Sequence, residues 1–107
     1  MSIRIDQRLR ELSITLPDAP VPSANYVPAR RSGNLVFIAG QVSITSDESV
    51  IGKLGHILTI EEGYAAARLC GLNILAQLKA CVGDDINYSK AIKLGGFVNA
   101  HPDFTNP

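Results

Sequence analysis

The side chains in this sequence that could carry chemistry are few and far apart. His56 and His101 stand 45 positions apart, and Cys70 and Cys81 eleven apart. Neither pair has the two-to-four-residue spacing of a metal-binding motif, so no metal site is expected. On a helix the two cysteines would be separated by about 16 Å of rise, too far for a disulfide, and they read as small packed thiols. The adjacent carboxylates Asp84 and Asp85 could in principle share acid/base work. Side by side after a helix end, they read better as a solvated turn. Arg30 and Arg31 could hold an anion, although a solvated strand end is the simpler reading. Gly52-x-x-Gly55 and Gly95-Gly96 lack the strand, loop and helix order of a phosphate cradle, and no Gly-x-Ser-x-Gly elbow is present. Tyr26 is more informative. Lying between a proline-rich entry and an apolar strand, it can present its hydroxyl to a cleft, or it can be a plain core or interface tyrosine.

The element that must position these residues is a long helix predicted over Thr59–Gly83. Thr59 and Glu62 form a capping box at its start, and Gly83 supplies a left-handed C-cap. At 100° per residue, Ile60, Tyr64, Ala67, Gly71, Ile74, Leu75, Leu78 and Val82 share the side expected to lie on a sheet. Leu69, Leu72, Ala65, Ala76 and Ala80 form a second apolar patch, expected to be covered by another helix or subunit.

Ahead of it, the spacing predicts a short amphipathic helix over Ile3–Leu12, then an extended proline-rich stretch. A hairpin follows, with strands at Asn25–Arg31 and Leu35–Val42 around a turn at Ser32–Asn34. The run LVFIA is apolar on both alternations, as in a strand covered on both faces. A short strand is expected within Val50–Leu58. Another is expected over Ser89–Asn99, with a bulge at Gly95-Gly96. Together these make an α+β domain with a long helix packed on one face of a sheet. Its apolar surface exceeds what one helix can cover, which predicts either self-association or further chain.

A chain of 107 residues supports one domain, over 1–107, of which 1–24 form a helical and proline-rich extension. With 46% hydrophobic and 19% charged residues it reads as a folded globule rather than a disordered segment. A formal net charge of zero gives no electrostatic reason to expect nucleic acid as a partner. The charged N-terminus is unlike a secretion signal, and no window is expected to reach the ~20 apolar residues of a membrane span. A cytoplasmic protein without a membrane partner is the simplest expectation.

The segments ANYVP at 24–28, GNLVFIAGQ at 33–41, Ala66–Gly83 and KLGGFVNAHPDF at 93–104 occur in an order that resembles the Rid family, also called YjgF. The resemblance covers nearly all of the chain from Asn25 onward. It implies a chorismate-mutase-like α+β fold with a mixed sheet, and a homotrimer with small-molecule clefts between subunits. It also implies hydrolysis of reactive amino-acid-derived enamines and imines to 2-oxo acids and ammonia, without metal or organic cofactor. Tyr26 matches the family's cleft tyrosine, Ala39 and Gly40 the backbone step lining the cleft, and Phe97 and Val98 the strand behind it. No catalytic side chain can be named. The family's carboxylate-binding arginine, last helix and last strand are expected beyond Pro107, so the C-terminal part of the fold is expected to be missing. Two other readings remain open: a non-catalytic trimer that binds small carboxylate metabolites, and an endoribonuclease.

Overall fold

The computed structural model describes residues 4–22 and 24–105. It has an α+β architecture: helix α1 (Ile5–Glu11), strands β1 (Ala29–Ser32) and β2 (Leu35–Ile38), helix α2 (Ile60–Val82), and a 3-10 helix at Gly83–Tyr88. The first residue of the helix expected over Ile3–Leu12 lies outside the described residues. Near its start, the Ile5 backbone N–H donates to Asn87 Oδ1, which ties α1 to the 3-10 helix.

The hairpin forms around Gly33, whose φ of +60° is the left-handed conformation a tight turn needs. β1 and β2 pair antiparallel, with Ala29 opposite Ile38 and Ser32 opposite Leu35. Both strands are shorter than predicted, and β2 is not covered on both faces, since Leu35 and Phe37 are exposed while Val36 and Ile38 are half-buried. Arg31, one of the candidate anion ligands, instead donates to Asp85 Oδ2 at 3.4 Å and to Gly33 O at 3.2 Å.

Among the described residues, the expected strands at Val50–Leu58 and Ser89–Asn99 are not formed, and the sheet consists of two antiparallel strands. Parallel pairing is confined to isolated bridges from Leu54 to Leu58 and to Ala100. The physical reason is the lack of a neighbour: a strand is completed by the hydrogen bonds of the chain beside it. Positions 91–99 are all exposed, so their alternating apolar side chains find no partner.

Leu54 is the junction of this half of the molecule. Its N–H donates to Asn99 O and its carbonyl accepts from His101 N–H, both at 2.9 Å. Its side chain is buried and lies under Gly63, where an added Cβ would come within 2.6 Å of it.

Helix α2 begins as the sequence implies. Thr59 Oγ1 accepts from Glu62 N–H at 3.2 Å and Glu62 Oε1 accepts from Thr59 N–H at 3.0 Å, the reciprocal pair of a capping box. Gly83 ends it at φ 59°, ψ −132°, a positive-φ stop but not the left-handed helical cap expected. The face presented to the fold also differs. Its buried residues are Leu69, Asn73, Ala76 and Gln77, two of them from the stripe read as a second patch, whose Ala65 and Ala80 are exposed, while Gly71, Ile74, Leu75, Leu78 and Val82 of the expected core side are half-buried. Tyr64 and Ala67, assigned to the core face, are exposed. The reason is polar. Asn73 and Gln77 are drawn inward by backbone carbonyls that need donors, and they bring Leu69 and Ala76 with them. By length and mean hydropathy the helical stretch Ile60–Tyr88 could cross a membrane, contrary to the sequence expectation. Asn73 and Gln77 on it donate to loops of the same chain.

Candidate functional site

Two hollows flank the inward face of α2. The smaller, about 220 Å3, lies between the proline-rich entry, the segment after β2 and the middle of the helix. Tyr26 and Gly40 both line it, joined by Gln41, Asn73 and Gln77. The hairpin sets this placement. Ala39 N–H donates to Pro28 O at 2.9 Å, which extends the β1–β2 ladder one step, and the chain then turns away through Gly40. Gln41 folds back, its Nε2 donating to Ala39 O at 3.0 Å. Ala39 is thus part of the ladder and lines neither hollow.

The inner wall is built by α2. Asn73 Nδ2 donates to Val42 O at 3.0 Å and Ile44 O at 2.9 Å, which pins the segment after β2 against the helix. One turn on, Gln77 Nε2 donates to Pro20 O at 2.7 Å and pins the proline-rich entry. Sequence reasoning passed over both residues. The available signal was their i, i+4 spacing on the stripe shared with Leu69 and Ala76, where an amide must find a partner.

The larger hollow, about 380 Å3, lies beside the first half of α2 and is lined by Leu54, Tyr64, Cys70, Phe97 and Val98, among others. Phe97 stands fully exposed at its rim. Burial pushes the Cys70 thiol above its ordinary value, which works against a reactive thiolate there. Within one chain Tyr26 and Gly40 share one hollow, Phe97 and Val98 line the other, and Ala39 lines neither.

A second grouping had no sequence signal. His56 and His101 stack with ring centroids 5.5 Å apart and planes 28° from parallel. The Leu54–Ala100 bridge carries the two segments together. His101 Nδ1 accepts from Asp103 N–H at 3.2 Å and lies 3.8 Å from Asp103 Oδ2. Among the described residues, no group of three or more His, Cys, Asp or Glu is arranged to hold a metal ion.

Comparison with known proteins fits this architecture. Residues 6–106 match the family described as "YjgF/chorismate mutase-like, putative endoribonuclease". Protein TCP17 of Trypanosoma cruzi is 39% identical over 103 residues, which are 95% of this chain and 64% of that protein. The crystal structure of a protein of unknown function from Agrobacterium tumefaciens superposes with a TM-score of 0.79 at 40% identity, covering 95% of this chain and 63% of the other. A crystal structure described as a putative endoribonuclease, from Shewanella oneidensis, gives 0.69 at 35% identity, covering 74% of this chain and 53% of that one. The chain thus spans less than two thirds of the length of each of these proteins. With the match running over nearly every residue, the chain belongs to the YjgF/chorismate mutase-like family.

Proposed function

We propose that the chain is the part of an imine or enamine deaminase that carries the site's tyrosine and backbone step. The reaction is addition of water to the imine carbon of an amino-acid-derived substrate, followed by release of ammonia from the resulting carbinolamine. The observation that carries this reading is the meeting of Tyr26 and Gly40 in one small hollow walled by uncharged side chains. Hydrolysis of an imine asks the protein to fix the substrate and orient a water more than to supply a strong acid or base. A hollow of about 220 Å3 suits a small metabolite. Assembly as a homotrimer belongs to the same proposal, and so does binding of the substrate's carboxylate, for which no charged residue lines this hollow among those described. Weak substrate affinity is the consequence, so turnover is expected to rise in proportion to substrate well into the millimolar range.

The test is ammonia release from an imine generated in situ by an amino-acid oxidase. Release above the uncatalysed rate is expected, with a loss of about tenfold in Tyr26→Ala, whose half-exposed ring can be removed without opening the core. Activity unchanged by that substitution places the chemistry elsewhere. Saturable metabolite binding with no ammonia release replaces the deaminase by a binding protein.

The His56–His101 pair supports a second reading, the ribonuclease activity that the names of related proteins carry. Two imidazoles side by side, His56 exposed and His101 half-buried, could share general acid and general base roles on a phosphodiester. RNA cleavage that survives stringent purification and is lost in both His56→Asn and His101→Asn would establish it. Cleavage unchanged in these variants comes from a contaminant.

A further inference from the structure

The chain runs from Ser89 to Asn99 without a turn or bend, and neither Gly95 nor Gly96 has a positive φ. Among the described residues, no backbone N–H or carbonyl from Lys90 to Val98 takes part in a hydrogen bond. The end of the segment fixes which way these groups point. Asn99 O and His101 N–H both face Leu54, so Ala100 faces the opposite edge. In an extended chain the pointing alternates from residue to residue, which places the N–H and carbonyl groups of Ile92, Leu94, Gly96 and Val98 on that same outer edge. An exposed row of this kind is a template for another strand.

Two further observations bear on what fits there. A glycine weakens an extended segment, yet a Cβ on Gly95 or Gly96 would meet nothing within 4 Å. The packing of this chain therefore does not call for either glycine, and the pair leaves room for a backbone from outside to come close. The second observation is charge. Lys90 and Lys93 are in no ion pair among the described residues, and no Asp or Glu occurs between Asp85 and Asp103. A second copy of this segment, or of β1 with its Arg30 and Arg31, would set positive charge against positive charge.

We propose that residues 91–98 are a docking edge for an extended acidic peptide of a partner protein. The peptide adds a strand along Ile92, Leu94, Gly96 and Val98, with apolar side chains at alternate positions and carboxylates where it passes Lys90 and Lys93. Main-chain hydrogen bonds supply the affinity, and the exposed Ile92, Leu94 and Phe97 side chains and the two lysines supply the selectivity. This surface does not depend on the deaminase reading.

The experiment is a titration of 15N-labelled protein with the peptide Ac-EVTVTVE-amide and with its charge-reversed counterpart Ac-KVTVTVK-amide. The acidic peptide is expected to shift the backbone amide signals of Ile92, Leu94, Gly96 and Val98 saturably, with a Kd of about 0.3 mM. The lysine peptide should bind about tenfold more weakly. Leu94→Pro removes one N–H from the outer edge at a side chain that is 78% exposed, and it should weaken binding at least about tenfold. Lys93→Glu should abolish the preference for the acidic peptide. If Leu94→Pro fails to fold, the pattern of shifted amides and the Lys93→Glu effect decide the matter. No saturable shift up to about 3 mM, equal binding of the two peptides, or binding untouched by Leu94→Pro overturns the proposal. So does slow exchange of these four amides in the peptide-free protein, which would show the edge taken by another copy of the chain.

Discussion

Gly55 sits at φ +82°, and a Cβ placed on it would lie 2.5–2.8 Å from the Phe104 side chain. An alanine there meets both a backbone conformation that L-residues avoid and an aromatic side chain with little room to retreat. Gly55→Ala is expected to cost about 2–4 kcal/mol of unfolding free energy in urea titration. In a Phe104→Ala background the two ring contacts are gone while the Phe104 Cβ, 2.8 Å away, stays, so the cost should fall only in part. Equal costs in the two backgrounds would show that Phe104 does not press on the turn. At this scale the sequence was legible where chemistry is local. Tyr26 and Gly40 do line one hollow, because both follow from the hairpin and its flanks. Phe97 and Val98 line another, on a segment that has no strand neighbour among the described residues. Asn73 and Gln77 were hidden for a different reason: amides at core positions have meaning only once the carbonyls they serve are known. The meeting of His56 with His101 depends on one long-range bridge, for which a single sequence offers no sign.

Among the elements, α2 was the most legible, because its ends are written in adjacent side chains. Thr59→Ala removes half of the capping box and is expected to cost about 1 kcal/mol, read as a lower urea midpoint with an unchanged slope. No change in midpoint would mean that tertiary packing, not the cap, sets the start of the helix. The inward face was less legible. Summed hydrophobicity favoured Tyr64, Ala67 and Ile74, whereas the carbonyls of Pro20, Val42 and Ile44 required donors and turned Asn73 and Gln77 toward them. Short strands were the least legible, since alternation of side chains is a property of one segment while strand formation is a property of two. The segment at 91–99 has the composition of a strand, with Ile92, Leu94 and Phe97 about four-fifths exposed or more.

For the molecule as a whole, the surface is the decisive quantity. A compact protein of this size exposes roughly 5,800 Å2, by the usual scaling of area with mass, against 8267 Å2 here. The radius of gyration, 15.2 Å, likewise exceeds the ~13 Å of a compact chain of this length. The hydrophobic residues that are buried among those described are Leu54, Leu69, Ala76 and Ile86. Apolar area left in water forgoes about 25 cal/mol for each Å2, so the excess is a strong drive toward any surface that can cover it. Sedimentation equilibrium is expected to give the mass of three chains at about 50 μM protein, with dissociation on dilution. A single compact chain at that concentration would remove the homotrimer from the proposed function.

Leu54 gives this open architecture an unexpected coherence. Its backbone joins the turn at 53–58 to the stretch at 99–101, and its side chain is roofed by the first turn of the long helix. Two consecutive segments and one about 45 residues further on therefore share one fastening, and none can detach without exposing the others. The larger hollow is bounded by all three, so its walls should persist or melt as one cooperative unit, and a ligand that settles there would be felt along the full length of that unit at once.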